Sequence, residues 1–280
     1  MKITAVAPWF GAKRTIAPKI VESIGPHSAY WEPFCGSCAV LFAKEPCRLE
    51  TVNDLHGELI NLCRVLADEN RCLDLYRRAE RFVLHEDLFR EAASNVRARS
   101  ESAIELRADV SAAADFLVTS WFGRNGVQGT KSYNQGFCVR FTNNGGHAAK
   151  RWRSAVESIP AWHSRLKCVT ILNRDAFDVL ARIGDEAGTV VYCDPPYLVK
   201  GAKYVHDFES EDHQSLADAL HRFKRARVVV SYYDHPRLEE LYPGWSCRRM
   251  DITKSLSNAN GRREVATEVL LINERQKNLF

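Results

Sequence analysis

One short string in this chain carries chemistry that packing alone does not require. Val190-Val191-Tyr192-Cys193 runs as an apolar strand directly into Asp194-Pro195-Pro196-Tyr197. Neither proline has an N–H to give, so sheet pairing stops there. The strand's carboxyl end is left with a fixed carboxylate, a free proline carbonyl and an aromatic face, at the place where ligands sit in open α/β sheets. A carboxylate beside a backbone carbonyl can accept two hydrogen bonds from one exocyclic amino group. The tyrosine ring can stack on the attached base. Read as structure only, the same string is a rigid turn with Tyr197 as packing.

A second constellation is Trp31-Glu32-Pro33-Phe34-Cys35-Gly36-Ser37-Cys38-Ala39-Val40, a strand entering a small-residue turn and then a helix. Such a turn brings backbone close to a ligand. Asp54 ends the next strand, at a spacing from Gly36 that suits an acid accepting hydrogen bonds from both hydroxyls of a ribose. The full glycine fingerprint of a dinucleotide site is missing. Pro8-Trp9-Phe10-Gly11-Ala12-Lys13 reads alone as a loop with a surface lysine. Asp175 follows another strand and suits the N-terminus of a helix. Cys35 and Cys38 form a C-x-x-C with no second pair at ligand spacing, so the expectation is no metal.

These residues need a scaffold of alternating strands and helices. Residues 28–31, 49–52, 168–172, 189–193 and 227–231 are short strand patterns, and 211–225 is a helical pattern opened by Ser210 as N-cap. Residues 245–252 and 265–272 read as an antiparallel pair. The implied fold is α/β, a mainly parallel sheet with an antiparallel edge pair. Residues 63–165 are helix-rich, which divides the chain into a catalytic domain (1–62 and 166–280) and an insertion (63–165). Hydrophobic residues at 45% and charged at 26% suit a globular protein. No apolar run approaches the roughly 18 residues of a membrane span. The N-terminal Met1-Lys2-Ile3-Thr4 lacks the apolar core of a secretory signal, and the nine cysteines make a poor disulfide framework. A cytoplasmic protein with reduced thiols is expected.

The net charge is only +4, yet residues 116–167 hold eight basic residues against the single acid Glu157. The bases are Arg124, Lys131, Arg140, Lys150, Arg151, Arg153, Arg165 and Lys167. Trp121, Phe122, Tyr133, Phe137, Phe141, Trp152 and Trp162 are interleaved with them. Cations beside aromatics can neutralise phosphates and stack on bases. The same composition also describes a solvated basic face over an aromatic mini-core. The Gly- and Asn-rich loops at 123–126 and 143–146 favour a contact surface.

In order and in kind, these segments resemble the D12-class (α-group) adenine-specific DNA methyltransferases, the group that includes the Dam methylases. The resemblance runs from Trp9 to about Asn273. Its most specific parts are Trp-Phe-Gly-Ala-Lys (9–13), Glu-Pro-Phe-Cys-Gly (32–36), Asn53-Asp54 and Asp-Pro-Pro-Tyr (194–197). The resemblance implies a Rossmann-like S-adenosylmethionine domain with a helical DNA-recognition insertion. It implies cofactor contacts from Trp9, Lys13, Glu32, Phe34, Gly36, Asp54, Asp175 and Asp194, with Asp54 on the ribose and Asp175 on the cofactor adenine's amino group. Asp194, Pro195 and Tyr197 would hold a flipped-out target adenine for transfer to N6. Arg124, Asn125 and Gly126 match the start of the recognition region, and residues 255–263 resemble a basic loop that contacts DNA. The expected DNA contacts are Arg124, Asn125, Lys131, Arg140, Arg151, Arg262 and Arg263. The partner would be double-stranded DNA, met by a monomer or weak dimer in a bacterial or phage-infected cell. The overall texture looks more like phage-borne relatives than host Dam.

Two departures stand out. Cys38 sits where the family usually has a second glycine, and the segment around Tyr133–Phe141 differs from the GATC-reading version. N4-cytosine methylation uses a related pocket, although serine more often replaces the aspartate there. An RNA substrate, a nicotinamide dehydrogenase and a non-enzymatic DNA-binding protein are the other readings. The last two leave Asp-Pro-Pro-Tyr without a task.

Overall fold

The computed structural model describes residues 5–9, 11, 13–102, 104–123, 136–139, 147–198, 208–257 and 263–273, without the side chains of 252–257 and 263–266. After a 3-10 turn at Lys13–Thr15, the first third of the chain carries α1 (Ala17–Ile24), β1 (Ala29–Glu32), α2 (Ala39–Ala43), β2 (Leu49–Asn53) and α3 (Gly57–Ala67). Helices follow: α4 (Glu69–Arg81), α5 (Glu86–Glu101), α6 (Val110–Phe122) and α7 (Ala148–Leu166). The remainder alternates as β3 (Thr170–Leu172), α8 (Ala176–Arg182), β4 (Thr189–Cys193), α9 (Ser210–His221), β5 (Arg227–Tyr233) and α10 (Arg237–Leu241), closing with β6 (Ser246–Ser257) and β7 (Arg263–Ile272).

The strands form one sheet in the order β3-β2-β1-β4-β5-β7-β6. The first five are parallel and β7 is antiparallel to both β5 and β6. β4 is buried along its whole length, as a central parallel strand with helices on both faces must be. Its side chains alternate between two apolar layers. Val190 and Tyr192 join α1, α3 and the helices 69–166. Val191 and Cys193 join α8, α9 and α10. The sheet order reverses between β1 and β4, and that opening at the carboxyl ends is where ligands bind in such sheets.

The expected α/β architecture is observed, with the antiparallel pair longer than its hydrophobic pattern suggested. The expected N-cap of the helix after residue 209 is corrected. Glu209 and Asp212 form a capping box, so Ser210 is already helical. Its hydroxyl accepts from Arg237 instead. An acid pair satisfying two orphan amides outcompetes a lone serine. The boundary at residue 62 falls inside α3, and one apolar cluster runs from Ile20, Tyr30 and Val52 to Phe89, Phe116 and Trp152. The helical segment therefore packs on the sheet through a shared core.

That core also absorbs much of the interleaved aromatic set. Trp121, Phe122, Trp152 and Trp162 are buried, which corrects their reading as stacking faces. Arg165 of the basic cluster is likewise committed inward, gripping both carboxylate oxygens of Glu50 at 2.5 and 2.7 Å. Lys150 and Arg153 remain exposed on α7.

Candidate active site

A cleft opens where β1 and β4 diverge. Its walls come from the turns after β1 and β2, the start of α8, and Asp194, Pro195 and Pro196 after β4. Trp9, Lys13, Glu32, Phe34, Gly36 and Asp54 all line it. The sequence motifs therefore converge on one place.

The turn after β1 is held by β2. Asp54 Oδ2 accepts the Gly36 amide at 2.8 Å, and Oδ1 accepts the His56 amide at 2.9 Å. The Cys35 amide reaches the Asn53 carbonyl at 2.9 Å. Asn53, buried, ties the turn further by donating to the carbonyls of Pro33 and Arg174, both at 3.0 Å. Gly36 has φ +45, and a Cβ there would lie 3.0 Å from Trp9 Nε1, so backbone and indole approach as only glycine allows. Cys38 keeps a left-handed backbone at φ 59 with its side chain fully buried. The turn thus retains the conformation of the missing glycine while the thiol points into packed core.

At the end of β4, Lys13 Nζ lies 2.9 Å from Asp194 Oδ1 and donates to the Gly11 carbonyl at 2.7 Å. Lys13 is no surface lysine, because it is buried. Burial pushes the Asp194 carboxyl above the usual range, and the Lys13 ammonium opposes that shift. Glu32, buried and accepting from Tyr30 Oη at 2.9 Å, is pushed up to about 8, chiefly by burial, with the nearby Asp194 charge adding to it.

Tyr197 departs from the expected arrangement. Its ring does not line the cleft and is only 8% exposed. Lys13 Nζ sits 4.9 Å from its centroid, and Tyr233 packs edge-on at 4.6 Å. The hydroxyl reaches Asp194 Oδ1 at 3.2 Å and Glu268 Oε1. A hydroxyl with one buried and one partly buried carboxylate in reach draws the ring inward, so no stacking face is open in this conformation.

Asp175 caps α8, with Oδ1 accepting the Phe177 amide at 2.7 Å. It flanks the cleft, whose lining includes the next residue, Ala176. Arg151 lies on α7 and reaches the Trp121 carbonyl at 3.4 Å. Arg263 is the first residue of β7. Arg124, Asn125, Gly126, Lys131, Arg140 and Arg262 lie outside the described residues.

Sequence reasoning missed three residues. Glu268 is a buried acid in the apolar run of β7, and a lone charge in such a run was the available signal. His56 caps α3 and packs against Trp9 and Phe116. Phe208 joins the cleft from before α9, stacked on Phe177 and edge-on to Phe34, and no local pattern marks it.

A sheet that reverses beside an acid-tethered glycine turn, with Asp-Pro-Pro on the facing strand, defines a Rossmann-like methyltransferase. The family model described as D12 class N6 adenine-specific DNA methyltransferase matches residues 9–256, and the chain belongs to that family. It is 29% identical to the Retron Ec67 DNA adenine methylase of Escherichia coli, over 96% of this chain and 91% of that protein. It is 25% identical to the Type II methyltransferase M1.LlaDCHI of Lactococcus lactis subsp. cremoris (95% and 93%) and 23% identical to a DNA adenine methylase of Vibrio cholerae (97% and 96%). The family decides among the open readings: the acceptor is adenine N6 in DNA, and the protein is a transferase. No helix among the described residues is long and apolar enough to cross a membrane.

Proposed function

We propose that the cleft binds S-adenosylmethionine against the turn after β1 and presents a flipped-out adenine of double-stranded DNA to Asp194 and the Pro195 carbonyl. The observation that carries this reading is the placement of Asp194 and Pro195 across one cleft from the turn that Asp54 tethers. The donor set suits the cofactor. Acids stand at the ends of β1 and β2 and after β3, and the cleft has an apolar lining of Phe34, Val40, Ala176 and Phe208. A carboxylate oxygen accepts more than one hydrogen bond, so Asp54 can hold the turn and a ribose together. Asp175 can likewise cap α8 and receive an adenine amino group. Trp9, Lys13, Glu32, Phe34 and Gly36 complete the binding set.

When bound, the cofactor supplies a methyl group on a sulfonium centre. Everything else is positioning by the chain. Adenine N6 is a weak nucleophile because its lone pair is delocalised into the ring. Asp194 Oδ2 and the Pro195 carbonyl, each accepting one N6 hydrogen, favour a tetrahedral nitrogen with its lone pair directed at the methyl. Lys13 keeps Asp194 ionised. The surplus amine proton passes to Asp194 and out to water, since that side chain is 22% exposed.

Flipping the base costs a few kcal/mol. A hydrogen bond to ionised Asp194 returns about 1.5–3 kcal/mol, and one to the Pro195 carbonyl about 0.5–1.5 kcal/mol more. The two sides are comparable, so the pocket can hold the extruded base. Residues 63–165 would read the target, with Arg124, Asn125, Lys131, Arg140, Arg151, Arg262 and Arg263 on DNA.

Asp194→Ala tests the assignment. Transfer should vanish while calorimetry still shows cofactor and DNA binding. Near-normal turnover would overturn it.

A further inference from the structure

Glu268 is a buried acid beside the reaction centre. It projects from β7, opposite Tyr233 of β5 and Met250 of β6 in register. The charged and titratable groups that face it are Lys13, 3.6 Å away, with Tyr197, Asp194 and Tyr192.

Counting hydrogens in this cluster gives a shortfall. Tyr197 Oη lies within hydrogen-bond reach of both Asp194 Oδ1 and Glu268 Oε1, yet a phenol has one hydrogen to donate. With both acids ionised, one of those contacts would be oxygen against oxygen with nothing between. Among the described residues, Lys13 would then face the negative charges of buried Glu268 and partly buried Asp194, an expensive arrangement away from water. One added proton resolves both problems. Glu268 is the acid to carry it, because it is 1% exposed against 22% for Asp194, and Lys13 lies closer to Asp194.

We infer that Glu268 is a positioning residue for methyl transfer: as a neutral carboxyl it donates to Tyr197, whose own hydrogen is thereby turned onto Asp194. Tyr197 and Lys13 then both donate to Asp194 Oδ1, and Oδ2 is left as the acceptor aimed at the amine. Burial, partly opposed by Lys13, raises the affinity of Glu268 for its proton, which agrees with the hydrogen count. As pH rises through the raised value of this carboxyl it ionises, Tyr197 swings its hydrogen back to Glu268, and Asp194 loses a donor.

The inference rests on the reading of Asp194 as the amine acceptor, and the test separates the two. Single-turnover methylation is measured as a function of pH for the wild-type chain, Glu268→Ala, Glu268→Gln and Asp194→Ala. Glu268→Ala should lower the rate on the order of tenfold to a hundredfold with KM for both substrates little changed. Glu268→Gln, which keeps an N–H donor without the ionisation, should recover most of that loss and abolish the fall with rising pH. A folded Glu268→Gln as slow as Glu268→Ala would overturn the inference. So would a Gln variant that keeps the wild-type fall with rising pH, and this comparison decides alone if the alanine variant fails to fold. Full turnover in Asp194→Ala would instead sink the acceptor assignment. A dead Asp194→Ala beside Glu268 variants of wild-type rate would sink only the role of Glu268.

Discussion

Asp54 Oδ2 accepts the amide hydrogen of Gly36 at 2.8 Å, so the acid that closes one strand shapes the turn that leaves its neighbour. A ribose contact and a backbone clamp are then functions of one carboxylate. Asp54→Ala should strip an acceptor from two amides and weaken cofactor binding by at least about tenfold, read by calorimetry. DNA affinity measured without cofactor should hold. Gly36→Ala attacks the same turn from the other side, through a Cβ 3.0 Å from Trp9 Nε1. It should lower stability by about 1–2 kcal/mol, visible as a reduced Tm.

Lys13 sets the pH at which the acceptor becomes competent. Burial raises Asp194 above the usual carboxylate range and Lys13 pulls it back. Removing the cation in Lys13→Met lets the carboxyl keep its proton to higher pH. The acid limb of kcat should therefore move upward in pH, and turnover at neutral pH should drop about tenfold or more. An unmoved limb would show that Lys13 does not act on the ionising acceptor.

Glu32 makes folding stability depend on pH. Its carboxyl titrates at about 8 in the folded chain against an ordinary value of 4.5, so the native state binds the proton more tightly than the unfolded state. That contribution is full below the ordinary value and is lost as pH climbs through about 8. Glu32→Gln keeps an acceptor for Tyr30 without a charge to bury. Denaturant titrations should find the variant equal or slightly weaker in mild acid and gaining on the wild type in mild alkali. A constant difference across that range would remove Glu32 as the source.

The basic residues of 116–167 should separate by what they touch. Arg165→Ala leaves buried Glu50 with Lys44 as its remaining cation partner, and should cost about 1–3 kcal/mol of stability with the salt dependence of DNA binding unchanged. Arg124→Ala should do the reverse, lowering affinity and reducing the salt slope by about one. Equal slopes in the two variants would argue against Arg124 as a phosphate contact.

The sheet was legible because its central strands are unambiguous. Thr189–Cys193 is a short β-branched, mostly apolar run followed by Asp194 and two prolines, and its bounds match the sequence pattern to the residue. The turn after β1 and Asp54 were legible because glycine, proline and acid fall at strand ends, where function concentrates. Partnerships across the fold were not. Nothing local tells that Lys13 is buried, because its ion pair with Asp194 joins positions far apart in sequence. Tyr197 reads as a stacking face until β7 brings Glu268 beside its hydroxyl. The basic-aromatic composition likewise conceals which residues the core takes, since Trp152 and Arg153 are adjacent in sequence and opposite in burial.

β7 slots antiparallel between β5 and β6, and with it comes Glu268. A chain without this segment would lack Glu268, present β5 as the edge of its sheet, and leave the Tyr197 hydroxyl with Asp194 as its remaining partner of the two carboxylates.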